Sequence, residues 1–497
     1  MSLINVSNLT FAYDGGYENI FENVSFQIDT DWKLGFTGRN GRGKTTFLRL
    51  MQGKYEYKGK ISASVSFDYF PFEVDDEYLN AIEIAEKKVP DFQYWQLSRE
   101  LNMLETDEGI LYRPFCTLSG GERIKLMLSV MFLKENGFLL IDEPTNHLDM
   151  KGRELVSRYL NNKKGFILVS HDRSFLDGCI DHVLSINKSN IEIQKGNFSS
   201  WLINKERQDC FEAAQNNKLK KEIRRLEATA KEKSSWSDKA ERRKTGIDPI
   251  KVDNKMGYRP LQAAKSKKLM ARAKAIETRS YNAAEEKSKL LKNIETADKL
   301  KITGLEYHRS KLVTVSNLSV CFNELPVFSP VSFEIEKGDR IALQGQNGSG
   351  KSSIIKLICG ENIPHKGIAE MGSGLKISYV PQDASGLNGR LSDFARERNI
   401  DESLFKAILS KLDFTGLEFD IKTENLSEGQ KKKVLIAGSL CEKAHLYVWD
   451  EPMNYIDIIS RIQIEKMLLE FKPTLLFTEH DRVFSERIGT KFVFIQA

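Results

Sequence analysis

Short apolar runs alternate with longer, helix-spaced stretches over residues 1–200, and the same alternation returns over residues 309–497. This is the pattern of an α/β domain with a mainly parallel sheet. The chain enters a strand-like alternation at once, in Leu3-Ile-Asn-Val-Ser-Asn-Leu9. Three further apolar runs of the first repeat each stop at a polar cluster: Lys33–Thr37 before Gly38, Phe138–Ile141 before Asp142, and Gly165–Ser170 before His171. The second repeat does the same with Arg340–Gln344, Leu446–Trp449 and Thr474–Thr478. Open parallel sheets carry their chemistry at the C-terminal ends of their strands, so function is expected at these six junctions.

Residues 201–308 read differently. From Trp201 to Thr245 there is neither Pro nor Gly, and apolar residues recur near helical spacing at Ile203, Phe211, Leu219, Ile223, Leu226 and Ala230. A second run, Leu261 to Leu300, carries Leu269, Ala273, Ile276, Ala284, Leu291, Ile294 and Ala297. Gly246, Pro249, Gly257 and Pro260 interrupt the two. Matched lengths and a continued apolar stripe predict two long antiparallel helices joined by a loop, rather than a flexible charged linker. Forty residues at 1.5 Å each make an arm of ~60 Å. The expected organisation is a domain over 1–200, a helical-hairpin linker over 201–308 and a second domain over 309–497.

The junctions hold the same chemistry twice. Gly38-Arg-Asn-Gly-Arg-Gly43-Lys44-Thr45 and Gly345-Gln-Asn-Gly-Ser-Gly350-Lys351-Ser352 both fit the phosphate-loop pattern. Leu118-Ser-Gly-Gly-Glu122 lies 80 residues after Gly38, and Leu426-Ser-Glu-Gly-Gln430 lies 81 after Gly345. Asp142-Glu143 and Asp450-Glu451 follow at 104 and 105 residues, His171 and His480 at 133 and 135. Chance does not hold four spacings in register twice, so the chain carries two copies of one ATP-handling domain.

In such a loop, backbone amides cradle phosphates at a helix N-terminus. Gly38, Asn40, Gly41 and Gly43, and likewise Gly345, Asn347, Gly348 and Gly350, are expected to line the nucleotide, the glycines allowing the curvature. Lys44 and Lys351 should reach the β- and γ-phosphates. Thr45 and Ser352 should ligate Mg²⁺, with Thr46 and Ser353 adding phosphate contacts. Asp142 and Asp450 should hold the metal directly or through water, while Glu143 and Glu451 are the expected general bases for the attacking water. His171 and His480 read as sensors of the γ-phosphate. Tyr13 and Phe322 precede the loops at equivalent positions and either stack on adenine or belong to the core.

Together these motifs resemble the ABC ATPases, and Leu140-Ile-Asp-Glu-Pro-Thr-Asn-His-Leu-Asp149 is the pattern of their ABC-F branch. Trp32-Lys-Leu-Gly and Trp449-Asp-Glu-Pro-Met-Asn-Tyr455 look like the Lsa-type antibiotic-resistance proteins. The resemblance covers essentially the whole chain. It implies two ABC-type domains in tandem, joined by the helical linker and closing head to tail as an intrachain pseudo-dimer in a monomeric protein. ATP at Gly38–Thr46 would then be covered by Ser427, Glu428, Gly429 and Gln430, and ATP at Gly345–Ser353 by Ser119, Gly120, Gly121 and Glu122. The family also places a Gln after Tyr-x-Pro, beside Mg²⁺ and water. Gln382 fits this in the second copy, but the first has Phe72, which can neither coordinate nor hydrogen-bond. Glu428 brings a carboxylate into the signature that covers the same first site.

Charge adds a partner. The net is +5, yet residues 201–300 hold 26 Lys/Arg against 15 Asp/Glu, and residues 239–274 hold 12 against 3. Such an excess at the hairpin end suits a polyanion, and Met256, Tyr258 and Arg259 are placed to stack on RNA bases. No apolar run reaches the ~18 residues of a membrane span. Six scattered cysteines without a C-x-x-C pair, and an N-terminus unlike a signal peptide, read as a cytosolic protein. By resemblance this is a cytoplasmic ATP hydrolase of the 70S ribosome. It would occupy the tRNA exit site, contact large-subunit rRNA, displace peptidyl-site tRNA with its arm and release bound lincosamides, pleuromutilins or group A streptogramins. The rivals are a housekeeping ABC-F translation factor, a coiled-coil DNA-repair-type ATPase and a transporter subunit. The first shares site and partner. The second usually has a far longer arm. The third fits poorly with two domains fused through a basic hairpin.

Overall fold

The computed structural model describes residues 2–13, 19–134, 136–146, 148–187, 190–245, 271, 275, 278–279, 304–322, 325–346, 348–414, 416 and 418–496. The chain forms two compact units, one of Met1–Trp201 with Lys299–Ala497 and one of Leu202–Asp298. The first unit contains both ATPase repeats.

In the first repeat a six-stranded sheet runs in the order Ser66–Phe70, Gly137–Asp142, Phe166–Val169, Lys33–Thr37, His182–Asn187, Asn190–Lys195. Its first five strands are parallel and the last pairs antiparallel. The second repeat keeps the order with Ile377–Val380, Leu446–Asp450, Leu475–Thr478, Arg340–Gln344 and Lys491–Phe494, all parallel. The predicted strands therefore lie within a residue or two of those observed. Leu446–Asp450 and Leu475–Thr478 have no exposed residue, as strands covered on both faces require. Each repeat adds an antiparallel sheet, centred on Leu3–Phe11 in the first and Lys311–Phe322 in the second.

The helix after each phosphate loop is pinned between these sheets. Phe47, on Lys44–Met51, packs its ring against Phe21, Phe26 and Phe36 with centroids 5.5–5.9 Å apart. Ile354, Ile355 and Ile358 on Lys351–Ile358 join the equivalent cluster with Leu343, Val448 and Leu476. This packing fixes the loop end of each helix against the strand that feeds it.

Among the described residues, the helix Phe198–Thr245, of 48 residues, runs from the end of the first unit into the second. Its start is anchored within the first unit by Phe198 and Trp201, both buried. Of the second predicted helical run only residues 271, 275, 278 and 279 are described, each helical. The predicted antiparallel pairing, the loop 246–260, Lys267 and Lys268 lie outside the described residues, as do the side chains of Arg242 and Arg243. Among the described residues no helix is long and apolar enough to cross a membrane, and all six cysteines are free.

A buried carboxylate ties the helical part of the first repeat together. Glu100 accepts from Tyr159 Oη at 2.6 Å and from Lys163 Nζ, with Arg99 at 3.1 Å. Burial opposes its charge, but the bonds from Lys163 and Tyr159 win and hold the carboxyl below its ordinary 4.5. Glu100→Ala is expected to cost about 1.5–3 kcal/mol, the range for hydrogen bonds to a charged group. Because the folded value is depressed, this stabilisation is present above pH 4.5 and fades as pH falls below it. Urea unfolding at pH 7 and pH 4 should therefore show a smaller pH effect in Glu100→Gln than in the native chain; equal effects would dismiss the assignment.

Candidate functional site: two composite nucleotide sites

Each phosphate loop ends in a glycine with left-handed φ, Gly43 at 90° and Gly350 at 88°. A Cβ there would sit 2.5 Å from Ile20 and 2.8 Å from Phe328 respectively. The helices that follow have no side-chain cap, so their first N–H groups face the loop and suit an anion. Lys44 Nζ donates to Gly38 O at 2.7 Å, Arg39 O at 3.2 Å and Asn40 Oδ1 at 3.3 Å. Lys351 Nζ donates to Gly345 O at 2.9 Å and Gln346 O at 2.7 Å. Burial lowers the pKa of both. Thr46 Oγ1 pairs with Tyr13 Oη at 2.8 Å, and Tyr13 meets Phe11 and Tyr55 edge to face. Phe322 ends its strand opposite Leu325; its side chain, and Asn347, lie outside the described residues.

At the second junction Asp142 Oδ2 accepts from Thr45 Oγ1 at 3.0 Å and from Tyr69 Oη at 2.7 Å. Asp450 is buried, with Oδ1 accepting from Thr478 Oγ1 at 2.6 Å. The next residue is strained in both copies: Glu143 has φ 51° and Glu451 φ 45°. A left-handed non-glycine residue recurring at one position marks a site that the surrounding packing over-determines. His171 Nε2 lies 3.3 Å from Glu143 Oε1, and His480 Nε2 lies 3.3 Å from Glu451 Oε1.

The two glutamates then part ways. Glu451 Oε2 accepts from Gln382 Nε2 at 2.8 Å and Asn454 Nδ2 at 2.7 Å. Burial works against its charge, but His480, Gln382 and Asn454 hold the carboxyl down at about 2. Glu143 Oε1 receives no hydrogen bond among the described residues. Burial, then the neighbouring Asp142 charge, push its carboxyl up to about 8. Phe72, standing where the second copy has Gln382, instead lies under Lys88 Nζ at 4.9 Å.

The signatures are capping boxes. Ser119 Oγ accepts from Glu122 N at 3.3 Å while Glu122 Oε2 accepts from Ser119 N at 2.8 Å. Ser427 and Gln430 repeat this at 3.3 and 2.9 Å. Gly120 and Gly121 open the first of these helices, Glu428 and Gly429 the second. Glu428 Oε1 accepts from Lys431 Nζ at 3.0 Å, so its charge is partly offset within its own helix.

The repeats meet head to tail. Asn40 Nδ2 donates to Tyr455 O at 2.9 Å, a Cβ on Gly429 would lie 3.1 Å from Asn40 Nδ2, and Arg39 pairs with Asp413. Ser427–Gln430 thus faces Gly38–Thr46. The second loop opens on a cavity of about 520 Å³, lined by Gly348–Ser353, Gln382, Glu451 and His480, with Asn146, Leu148 and Arg153 from the first repeat. Ser119–Glu122 approaches it through Leu148, which a Cβ on Gly121 would meet at 3.6 Å. The flanks differ as well. Arg173 is buried and pairs with Glu465 across the repeats, with Asp481 at 3.7 Å. Its counterpart Arg482 is exposed and pairs with Glu486 at 2.8 Å, beside a cavity of about 450 Å³ that Ser157 lines. The first loop thus touches the second repeat through Arg39 and Asn40, whereas the second loop lines a cavity.

Sequence reasoning missed Tyr69, Asp413, Arg173 and Glu465. Tyr69 was within reach, since Tyr-x-Pro recurs at Tyr69 and Tyr379. Arg173 recurs as Arg482 in the His-Asp-Arg of each repeat, but its pairing with Glu465, like that of Asp413 with Arg39, is made across the repeats and no local pattern marks the two carboxylates.

The ABC transporter family pattern matches residues 21–146 and 328–454, one stretch in each repeat, and the chain belongs to that family. It is 27% identical to the ribosome protection protein VmlR of Bacillus subtilis, over 98% of this chain and 85% of that protein. It is 26% identical to the energy-dependent translational throttle protein EttA of Escherichia coli K12, over 95% of this chain and 88% of the relative. Among solved structures, the archaeal ribosome recycling factor aABCE1, in complex with stalk protein aP1, has the same fold, with TM-score 0.63 and 18% identity over 99% of this chain and 87% of that one. The chain is a tandem ATPase of the ABC-F kind and hydrolyses ATP.

Because the second loop lines a cavity of about 520 Å³ while Arg39 and Asn40 of the first loop are already engaged by the second repeat, the first ATP to bind the nucleotide-free chain is expected at Gly345–Ser353. Lys351→Ala should weaken that first binding by about tenfold or more, equivalent to ~1.4 kcal/mol, and Lys44→Ala should leave it nearly unchanged. Titration with a fluorescent ATP analogue decides; equal losses would contradict the order.

Proposed function

We propose that this protein is a ribosome-bound ABC-F ATPase that protects the ribosome from antibiotics. The observation that carries this reading is the combination of two composite ATP sites on one chain with a 48-residue helix leaving the first repeat. The relative named a ribosome protection protein aligns over 98% of the chain and supports it. The translational throttle protein EttA, 26% identical, supports the second reading, a housekeeping translation factor with the same site and partner.

In this reading ATP draws the repeats together at both sites, and hydrolysis lets them part. The oxygen donors Thr45 with Asp142, and Ser352 with Asp450 and Gln382, suit a hard cation that keeps waters and substrate phosphates as its other ligands. Thr45 and Asp142 already touch at 3.0 Å. Gln382 turns its amide nitrogen to Glu451, which leaves its oxygen for the Mg²⁺ that would neutralise phosphate charge there. Lys44 and Lys351 exchange their loop carbonyls for phosphate oxygens. Glu451 orients the water and takes its proton as the water oxygen attacks the γ-phosphorus and ADP leaves, with His480 beside it. Glu143 and His171 occupy the same places in the first site, without the Gln. Tyr13 and Phe322 serve the adenine side. Outside the repeats, the basic arm residues 239–274 meet ribosomal RNA and peptidyl-site tRNA, and lincosamides, pleuromutilins or group A streptogramins leave as the tRNA moves.

Glu143→Gln with Glu451→Gln should bind ATP, lose about 10²–10⁴ in turnover and co-sediment with ribosomes in ATP. Normal turnover would reject the glutamates as bases. Singly, Glu451→Gln should remove more steady-state activity than Glu143→Gln, since Glu451 is held by the Gln382 and Asn454 side chains; the reverse order would sink that ranking. Expression in a drug-sensitive bacterium separates the two readings. Resistance that disappears when residues 246–260 are shortened supports protection. If the intact chain raises none, the housekeeping reading stands.

A further inference from the structure

Two charged residues sit buried in the second repeat where the first has none. Lys432, on the signature helix Glu428–Cys441, is among the most fully buried large side chains of the protein. Glu479, directly before His480, is buried as well. By the spacing of the repeats, their counterparts are Ile124 and Ser170. Ionised groups in a core are costly unless they meet opposite charge and hydrogen bonds, so a pair gained in one copy alone calls for a reason.

Their bonds supply it. Lys432 Nζ donates to Pro381 O at 2.7 Å and to Glu451 O at 3.3 Å. Those two carbonyls flank Gln382 and belong to the strained peptide of Glu451. Glu479 Oε1 accepts from Met453 N at 2.6 Å, and Oε2 accepts from His480 N at 3.0 Å. Of the charges acting on Lys432, that of Glu479 is the largest, and Arg461 is the largest opposite charge acting on Glu479. In the first repeat Ser170 instead pairs with Thr145 at 3.2 Å, and an isoleucine has no donor for Pro71 or Glu143. The copy with the frame is also the copy in which the glutamate receives hydrogen bonds from a Gln and an Asn.

We infer that Lys432 and Glu479 are positioning residues of the second ATP site: together they clamp the Pro381–Gln382 loop, the Glu451 turn and the His480 backbone into one rigid arrangement, and they act on hydrolysis through Glu451 and Gln382 without touching ATP. This deepens the catalytic reading above and rests on Glu451 being the base.

The test uses the full chain in a Glu143→Gln background, so that turnover reports the second site. The double variant Lys432→Ile with Glu479→Ser copies the first repeat's own solution and removes both buried charges at once. It should fold with a melting temperature near that of its parent, keep KM for ATP within about threefold and lose about tenfold or more in kcat, on the scale of one or more kcal/mol of lost positioning. Lys432→Arg, which keeps the donors, should retain most of the turnover. Near-parental kcat in the folded double variant, or a loss shared equally by KM, overturns the inference. A Glu451→Gln control separates the two levels. If that control hydrolyses normally, the base assignment has failed; if it is dead while the double variant is normal, only the frame has failed. Should the double variant not fold, the kcat of Lys432→Met decides, with an unchanged value overturning the inference.

Discussion

The molecule depends on placing acidic turns at the ends of strands that have no solvent face. Leu446–Asp450 is buried along its whole length, and the residue after it is a glutamate in a left-handed conformation. A carboxylate in that position keeps its charge at low cost only if donors converge on it. Gln382, Asn454 and His480 come from three separate segments that the parallel sheet gathers at one edge. The strain at Glu451 and the buried charges around it are held by the packing of the sheet and the helices beneath.

The first repeat shows what the same backbone does when the Gln donor is replaced by Phe72. Glu143 keeps the left-handed φ and the histidine neighbour, but it has no Gln, and its Oε1 accepts no hydrogen bond among the described residues. Burial then raises its carboxyl instead of the donors lowering it. Two copies with one topology and one set of motifs therefore hold their glutamates in opposite electrostatic settings. The interface extends the difference. Arg173 and Glu465 pair in the buried flank of the first site, whereas the equivalent flank of the second has Ser157 beside a cavity. An arginine with a buried carboxylate partner holds two surfaces together, and an arginine facing a serine does not.

Much of this was readable before any coordinates. The alternation of apolar runs placed the strands to within a residue or two, because a strand buried on both faces needs an unbroken apolar run and a polar residue must wait for its end. The twofold recurrence of the phosphate loop, signature, Asp-Glu pair and histidine named the residues of both sites, since phosphate binding at a helix N-terminus demands glycines and lysine at set spacings. Even the unequal sites were visible in Phe72 against Gln382.

What no local pattern revealed was how each residue is satisfied. Glu428 brings a carboxylate into the signature, and its helix places Lys431 one turn away to pair with it. Nothing in the local sequence marks Lys432 and Glu479 as buried, and the folded chain covers both. Arg173 with Glu465, and Arg39 with Asp413, lie hundreds of residues apart and meet because the repeats pack head to tail. The sequence by itself determined the class of domain, the number of copies and the groups that handle phosphate, because these follow from short-range spacing. The tertiary structure alone decided which glutamate is held by Gln and Asn side chains and which arginine pairs across the repeats, because burial and long-range charge pairing belong to the folded chain.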